Sequence, residues 1–400
     1  MELESMLQES TGAPLLLRFV AIVGGSIGAE PFGRRTWSGS ARMFLTALQK
    51  RGVLQRAIGL DVPFVKRQML RIRNFDVRPN RWKKRYYSDP AYRMAMTAAL
   101  RKRLLPSDRG SDLLQIGAFY STPAIAPPGS RCFSYSDANL IESTSSKFAV
   151  RQSLLTPAEF DRAYEYEKNL YHAMTLMFTM SEYVRQSFIK NFDVPPERIV
   201  AIGGGVNFDT FPEPPRGKNY DSKEVLFVGI EFARKGGWQL LDAFRIVRET
   251  HPTAVLHIVG PRTLTIPPAV SGGVVFHGFL DRSTPEGAQK FLDLVQRASL
   301  FVMPSLYEPY GLANLEALAY GLPSVVTNAW ALKETTIPGE TGELVECGNV
   351  EHLAATLTRL LRDPEALRAM GEKGVSVVRE RYTWDRVVDR LIAALTQPGA

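Results

Sequence analysis

The sequence predicts an α/β protein built from two Rossmann-like doubly wound domains that face a cleft, and three observations carry that prediction. Apolar, β-branched runs alternate with helix-like segments throughout the second half. The first half repeats the alternation less regularly. Between them "PPERIVAIGGGVNFDTFPEPPRGKNYDSK" is dense in Pro, Gly and charge, which marks a boundary near residue 210. A chain of 400 residues is also too long for one ordinary core.

The strands of the second half are expected at "EVLFVG", "AVLHIVG", "GVVFHGF", "LFVMPS", "SVVTN" and "GELVE", with helices over 237–250, 286–298, 313–320 and 351–361. These strands are continuous apolar runs, the pattern of a parallel sheet covered on both faces. In the first half, "LLLRFVAIVGG" reads as a strand ending in glycines and "WSGSARMFLTALQKRG" as a loop running into a helix with a Gly stop. Further strands are expected at "DLLQIGAF", "RCFSYSD", "MTLMFTMS" and "RIVAIGGG", and "RYTWDRVVDRLIAAL" reads as a closing amphipathic helix. The domains are thus 1–210 and 211–380, with the closing helix over 381–400. Open parallel sheets bind ligands at the carboxyl ends of their strands, so a cleft enzyme or cleft-binding protein is expected.

An apolar content of 45% and a charged content of 22% fit a soluble globular protein. Cys132 and Cys347 lie far apart without metal-like spacing, which suggests packing residues in a reducing compartment. The start "MELESMLQES" is acidic where an export signal is basic, and Arg18 interrupts the apolar run after it. The expectation is a cytoplasmic protein without a spanning helix. Net charge is +8, and 13 Lys or Arg against two Asp fall between Lys66 and Arg103, among aromatics from Phe64 to Tyr92. That stretch is either a solvated, partly flexible insertion or a surface for anionic lipid or an anionic acceptor. No nucleic-acid motif accompanies it, so no nucleic-acid partner is expected.

The chemistry concentrates in two stretches. In "VGIEFARKGGWQLLDAF", Arg234 and Lys235 precede two glycines where a helix opens, and fixed cations beside free backbone N–H groups suit a diphosphate. In "SLYEPYGLANLEALAYG", Gly311, Leu312 and Ala313 turn the chain into a helix whose first amides suit a phosphate. Glu308 precedes that turn and Glu316 lies about one turn into the helix, where a carboxylate accepts from a ribose diol. Two carboxylates with a phosphate site between them describe a nucleotide sugar.

With these residues the chain resembles retaining glycosyltransferases of the GT-B fold, specifically glycosyltransferase family 4. The likeness covers nearly the whole chain and is most specific from Val225 to Trp384, through "FVGIEFARKGG", "HIVGP", "FHGFL", "MPSLYEPYGLANLEALAYGLPSVVTN" and "YTWDRV". The resemblance implies that Glu316 binds the donor ribose, Glu308 contacts the donor sugar near the reacting carbon and Lys235 holds the diphosphate. It implies backbone contacts to the base around Gly278 and Phe279, and a close approach of Gly39 in "TWSGS" to the leaving phosphate. It also implies an acceptor-binding first domain, and a final helix with Trp384 that crosses back onto it. Expected partners are a UDP- or GDP-linked sugar as co-substrate and a glycan or lipid-linked acceptor, with possible peripheral contact of 66–103 with an anionic membrane. No further cofactor is expected. Without an Asp-x-Asp pattern no metal is expected either, because Lys235, Arg234 and helix N-termini meet the leaving charge.

Two positions depart from the family pattern. Ile230 stands where members usually carry an arginine, with Arg234 as the candidate substitute. None of His172, His251, His257, His277 and His352 lies at the strand end "FSYSDANL", where Asp137 is either the polar group of the sugar pocket or a helix cap. His277 reads as a packed residue. A glycan- or partner-binding protein with a degraded cleft is the alternative to a transferase.

Overall fold

The computed structural model describes residues 17–142, 154–214 and 217–396. The "MELESMLQES" stretch, Pro215 and Arg216 of the expected boundary, and residues 397–400 of the expected closing helix lie outside them. Two six-stranded parallel sheets organise the chain. The first holds β1 (Phe19–Gly24), β2 (Leu54–Leu60), β3 (Asp112–Ile116), β4 (Cys132–Ser136), β5 (Leu176–Thr179) and β6 (Ile199–Ala201), in the order β2-β1-β3-β4-β5-β6. Its helices are α1 (Ser40–Lys50), α2 (Phe64–Arg73), α3 (Pro79–Ser88), α4 (Pro90–Arg101), α5 (Pro157–His172) and α6 (Glu182–Phe192). The second sheet holds β7 (Glu224–Val228), β8 (Val255–Val259), β9 (Val274–Gly278), β10 (Leu300–Met303), β11 (Ser324–Thr327) and β12 (Gly342–Val345), in the order β12-β11-β10-β7-β8-β9. With it run α7 (Gly237–Thr250), α8 (Pro285–Arg297), α9 (Leu312–Ala319), α10 (Leu332–Thr335), α11 (Val350–Leu360), α12 (Pro364–Arg381) and α13 (Trp384–Thr396).

Side chains alternate across each strand, so each sheet feeds two cores. Phe19, Ala21 and Val23 of β1 face α1 and α13, while Val20 and Ile22 face α4, α5 and α6. Val225 and Phe227 of β7 pack with α7, α11 and α12, and Leu226 packs with α8 and α9. Helix α13 lies against the first sheet's side: Trp384 meets Phe44 and Tyr135, and Arg51 pairs with Asp389 at 2.8 Å. The halves are pinned elsewhere too. The Tyr310 hydroxyl donates to the Gly204 carbonyl and accepts from the Gly204 N–H, and the Glu334 carboxylate accepts from the Glu182 and Tyr183 amides at the start of α6.

Three sequence expectations are corrected. Strand β2, "LQRAIGL", was not expected: it is an edge strand and mostly half-buried, so polar residues interrupt its apolar run. Residues 66–103 are not a flexible insertion but fold into α2, α3 and α4, with Tyr86, Tyr92, Met96 and Leu100 in the core. Much of their charge is spent internally, as in the buried pair of Arg93 with Glu167 at 2.8 Å and that of Arg85 with Glu159 at 2.7 Å. Cys132 packs in the core as expected, but Cys347 is exposed in the turn after β12.

Candidate functional site

The carboxyl ends of the two sheets supply the loops that matter. After β7 the chain turns through residues 229–236 into α7, and after β10 through residues 304–311 into α9. The first turn needs glycine twice. Gly236 has φ +72°, and a Cβ there would meet the Pro304 carbonyl at 2.0 Å. At Gly229 a Cβ would meet the Lys235 side chain at 2.2 Å, so the missing Cβ lets the lysine fold back over the strand end.

That lysine reaches Glu308. Its ammonium donates to Glu308 Oε2 at 2.8 Å, and the Arg234 guanidinium lies 3.5 Å from the same oxygen. Arg234 is fixed in turn by donating to the Tyr307 carbonyl at 2.6 Å and pairing with Glu231 at 2.8 Å. Glu308 is 7% exposed. Burial pushes its carboxyl up, but Lys235 and Arg234 more than offset this and hold it below the ordinary glutamate range. Lys235, Arg234 and Glu308 are therefore one cluster, whereas the sequence reading set the cations and Glu308 at different parts of a ligand.

A cavity of about 300 Å³ opens beside this cluster, between the 228–235 loop, Phe279–Leu280, Arg282 and Ala313. Ile230 lines it and stands exposed. Gly278 ends β9 with φ +69°, and the Arg262 guanidinium covers the Phe279 ring at 4.7 Å. Glu316 accepts from Arg282 at 2.8 Å, and Arg282 is held over the Phe291 ring at 4.8 Å. Gly311 caps α9 with φ +93°, placing Leu312 and Ala313 in its first turn.

A second cavity, of about 450 Å³, lies across the mouth of the first sheet. Trp37, Gly117–Phe119, Asp137 and the α3 residues Asn80, Lys83, Lys84 and Tyr87 line it. Glu231 lines both cavities, so they adjoin across the cleft. Asp137 accepts from the Trp37 indole at 2.9 Å, and Asn139 instead of Asp137 caps the following turn by accepting from Glu142 N. Burial holds the Asp137 carboxyl above the ordinary aspartate range, the indole opposing part of the rise. Trp37 and Ser38 have φ of 48° and 55°, a strained turn that aims the indole at Asp137. Gly39 sits buried at the start of α1 and lines neither cavity.

Arg282, Arg262, Glu231 and Trp37 escaped sequence reasoning. The partner of Arg282 lies 34 positions away and that of Trp37 lies 100 away, so no local spacing announces either.

Residues 210–377 match the glycosyl transferases group 1 family. The chain is 32% identical over 216 residues to the glycogen synthase of Mycobacterium tuberculosis, covering 52% of this chain and 50% of that protein. It is 26% identical over 266 residues to an O-antigen chain mannosyltransferase B of Escherichia coli, covering 60% and 67%. The chain thus spans about half the length of the first curated relatives it matches. Among solved structures it resembles a sucrose-phosphate synthase from Thermosynechococcus elongatus, with TM-score 0.65, 17% identity and coverage of 94% and 99%. It also resembles Anabaena Alr3699/HepE in complex with UDP and glucose, with TM-score 0.61, 14% identity and coverage of 96% and 100%. Such distant likenesses establish the fold alone. The chain has the two-domain GT-B fold, and its residues 210–377 are similar to the glycosyl transferases group 1 family.

Proposed function

We propose that this protein is a glycosyltransferase that moves a sugar from a nucleotide-diphosphate sugar to an acceptor hydroxyl with retention of anomeric configuration and without a metal. The observation that carries the reading is the buried Lys235–Glu308–Arg234 cluster, set where two adjoining cavities meet at the strand ends. The relatives' names support it: the solved Anabaena neighbour holds UDP and glucose, and the mannosyltransferase relative is named for sugar transfer.

The donor's nucleotide occupies the smaller cavity. Glu316 accepts from the ribose diol, and Arg282, already on Glu316, keeps that carboxylate aimed. Backbone groups at Gly278 and Phe279 meet the base, and the amides of Leu312 and Ala313 meet the diphosphate. Lys235 and Arg234 take up charge as the diphosphate leaves, and Glu308 positions and stabilises the electron-poor sugar beside them. The acceptor occupies the larger cavity, where Asp137 accepts a hydrogen bond from its hydroxyl; that oxygen bonds to the anomeric carbon on the face from which the diphosphate departs, and its proton passes to the departing phosphate oxygen. Gly39 lines neither cavity and acts through the course of the α1 start. Ile230 favours one other reading, a cleft that binds nucleotide or glycan without turnover, because an exposed apolar side chain lines the cavity where an arginine was expected.

Thermal unfolding against UDP, GDP, ADP and their sugar conjugates, followed by transfer with a labelled donor in EDTA, tests the reading. Ligand at about 100 times its Kd stabilises by roughly 2.7 kcal/mol. The expected result is a shift with one base, loss of that shift in Glu316→Ala, and an α-linked product from an α-linked donor. Binding without turnover supports the degraded cleft, and turnover abolished by EDTA overturns metal independence.

A further inference from the structure

Helix α2 is anchored by one side and leaves the other bare. Leu70 is its only buried side chain, and Asn74, just past its end, donates to the Leu70 carbonyl and to Asp89. On the far side Val65, Met69 and Ile72, spaced four and three apart, form one stripe, and they are 71%, 59% and 77% exposed. Phe64, Phe75 and Val77 extend the apolar surface at either end, all exposed. No other stretch of the described residues collects six exposed large apolar side chains within fourteen positions. Such a surface marks an interaction site more often than chance.

The charge beside it selects the partner. Arg67 and Arg71 flank the stripe on one edge of the helix, and Lys66 and Arg73 on the other. Lys66 and Arg71 have no carboxylate partner among the described residues, although the neighbouring fold consumes most other cations of 66–103. An apolar stripe between two rows of cations fits the headgroup boundary of an anionic bilayer: the apolar side chains enter the acyl region and the cations stay with the phosphates. A protein partner or a second copy would bury the same stripe without calling for cations on both edges. No helix among the described residues is long and apolar enough to cross a membrane, so a surface contact is the available mode.

We propose that the α2 face, Phe64 to Val77, docks this protein on an anionic lipid surface. Docking reaches the larger cavity through direct bonds. The Trp82 indole donates to the Arg71 carbonyl at 3.0 Å, and Arg85 donates to the Phe75 carbonyl at 3.0 Å, so α2 and α3 move together. Residues Asn80, Lys83, Lys84 and Tyr87 of that same α3 wall the cavity. The cavity then opens beside the bilayer, which suits an acceptor presented from the lipid surface. The docking itself does not depend on the transferase reading.

Flotation of the full chain tests it, with phosphatidylcholine vesicles containing about one third phosphatidylglycerol against pure phosphatidylcholine. The wild-type chain floats with the anionic vesicles at low salt and remains at the bottom with the neutral ones. The triple change Val65→Ser, Met69→Ser, Ile72→Ser weakens partitioning about tenfold or more, with an unchanged unfolding midpoint because these side chains make no core contact. Wild-type protein that stays at the bottom with both vesicles overturns the proposal, as does a triple variant that floats like wild type. A wild-type dimer in sedimentation that the triple change dissociates, without flotation, overturns it in favour of a second copy. Nucleotide-induced stabilisation in the same samples reads the donor site separately, so either claim can fail alone.

Discussion

The two rims of the cleft treat a carboxylate in opposite ways. On the second sheet's rim Glu308 is buried between Lys235 and Arg234, which hold it ionised below the ordinary range. On the first sheet's rim Asp137 has one indole N–H and no ion pair among the described residues, and burial holds it above the ordinary range. The difference separates tasks. A rim of fixed charge suits a leaving diphosphate, whose charge is the same for every substrate. A rim with an acid free of ion pairs, a tryptophan and lysines suits a hydroxyl-bearing acceptor, which varies.

The largest test falls on the charged rim. Lys235→Ala removes the ammonium proposed to meet the leaving group and leaves Glu308 with Arg234 alone. We expect kcat to fall on the order of 100- to 1000-fold with every acceptor tried. A loss that depended on the acceptor would break the division between the rims. Next, Glu316→Ala deletes the proposed ribose acceptor and frees Arg282. Titration calorimetry is expected to show nucleotide affinity weakened roughly 10- to 100-fold, since charged hydrogen bonds contribute about 1.5–3 kcal/mol. Loss in kcat alone, with affinity kept, would place Glu316 away from the ribose.

The two rims also differ in how far the sequence announced them. On the second sheet, Lys235, Glu308 and Glu316 sit at helix starts following continuous apolar strands, so local pattern reveals both position and chemistry. Local spacing did not reveal that Lys235 touches Glu308 across 73 positions, because the turn at Gly236 and the gap at Gly229 bring them together. On the first sheet the edge strand β2 lacks the continuous apolar run, and α2 to α4 carry so much charge that they resemble a solvated segment. Their cores show only once Arg93 finds Glu167 and Arg85 finds Glu159, each across 74 positions.

A smaller effect sharpens the comparison through pH. Glu308, with its lowered carboxyl, contributes stability that is present above the ordinary glutamate range and lost as pH falls through its folded pKa. Asp137, with its raised carboxyl, has the opposite sign: the folded state keeps that proton longer, so stability falls as pH rises past the ordinary aspartate range. Asp137→Asn is therefore expected to raise the neutral-pH unfolding midpoint by about 1–2 °C while Glu308→Gln lowers it. Trp37→Phe removes the indole donor to Asp137 and pushes its carboxyl further up, so the acid limb of kcat/KM moves to higher pH. An unmoved limb would show that Asp137 does not act in the reaction.

The smallest expected effect concerns the imidazoles of the second sheet. His277 on the edge strand β9 lies with Nε2 3.0 Å from Nδ1 of His257, whose other nitrogen is 2.8 Å from Glu224. Burial first, then the neighbouring His257, pushes His277 down to about 4, so it carries no charge at neutral pH. A neutral ring whose bond runs back into the sheet packs and does not exchange protons with a ligand. His277→Phe should leave transfer within about twofold at neutral pH and lower the unfolding midpoint slightly, because the bond from half-buried His277 to buried His257 contributes about 1 kcal/mol. A rate loss of about tenfold or more would put a reacting group one residue before Gly278. The second rim would then hold acid–base chemistry as well as fixed charge, and the separation of tasks between the two rims would fail.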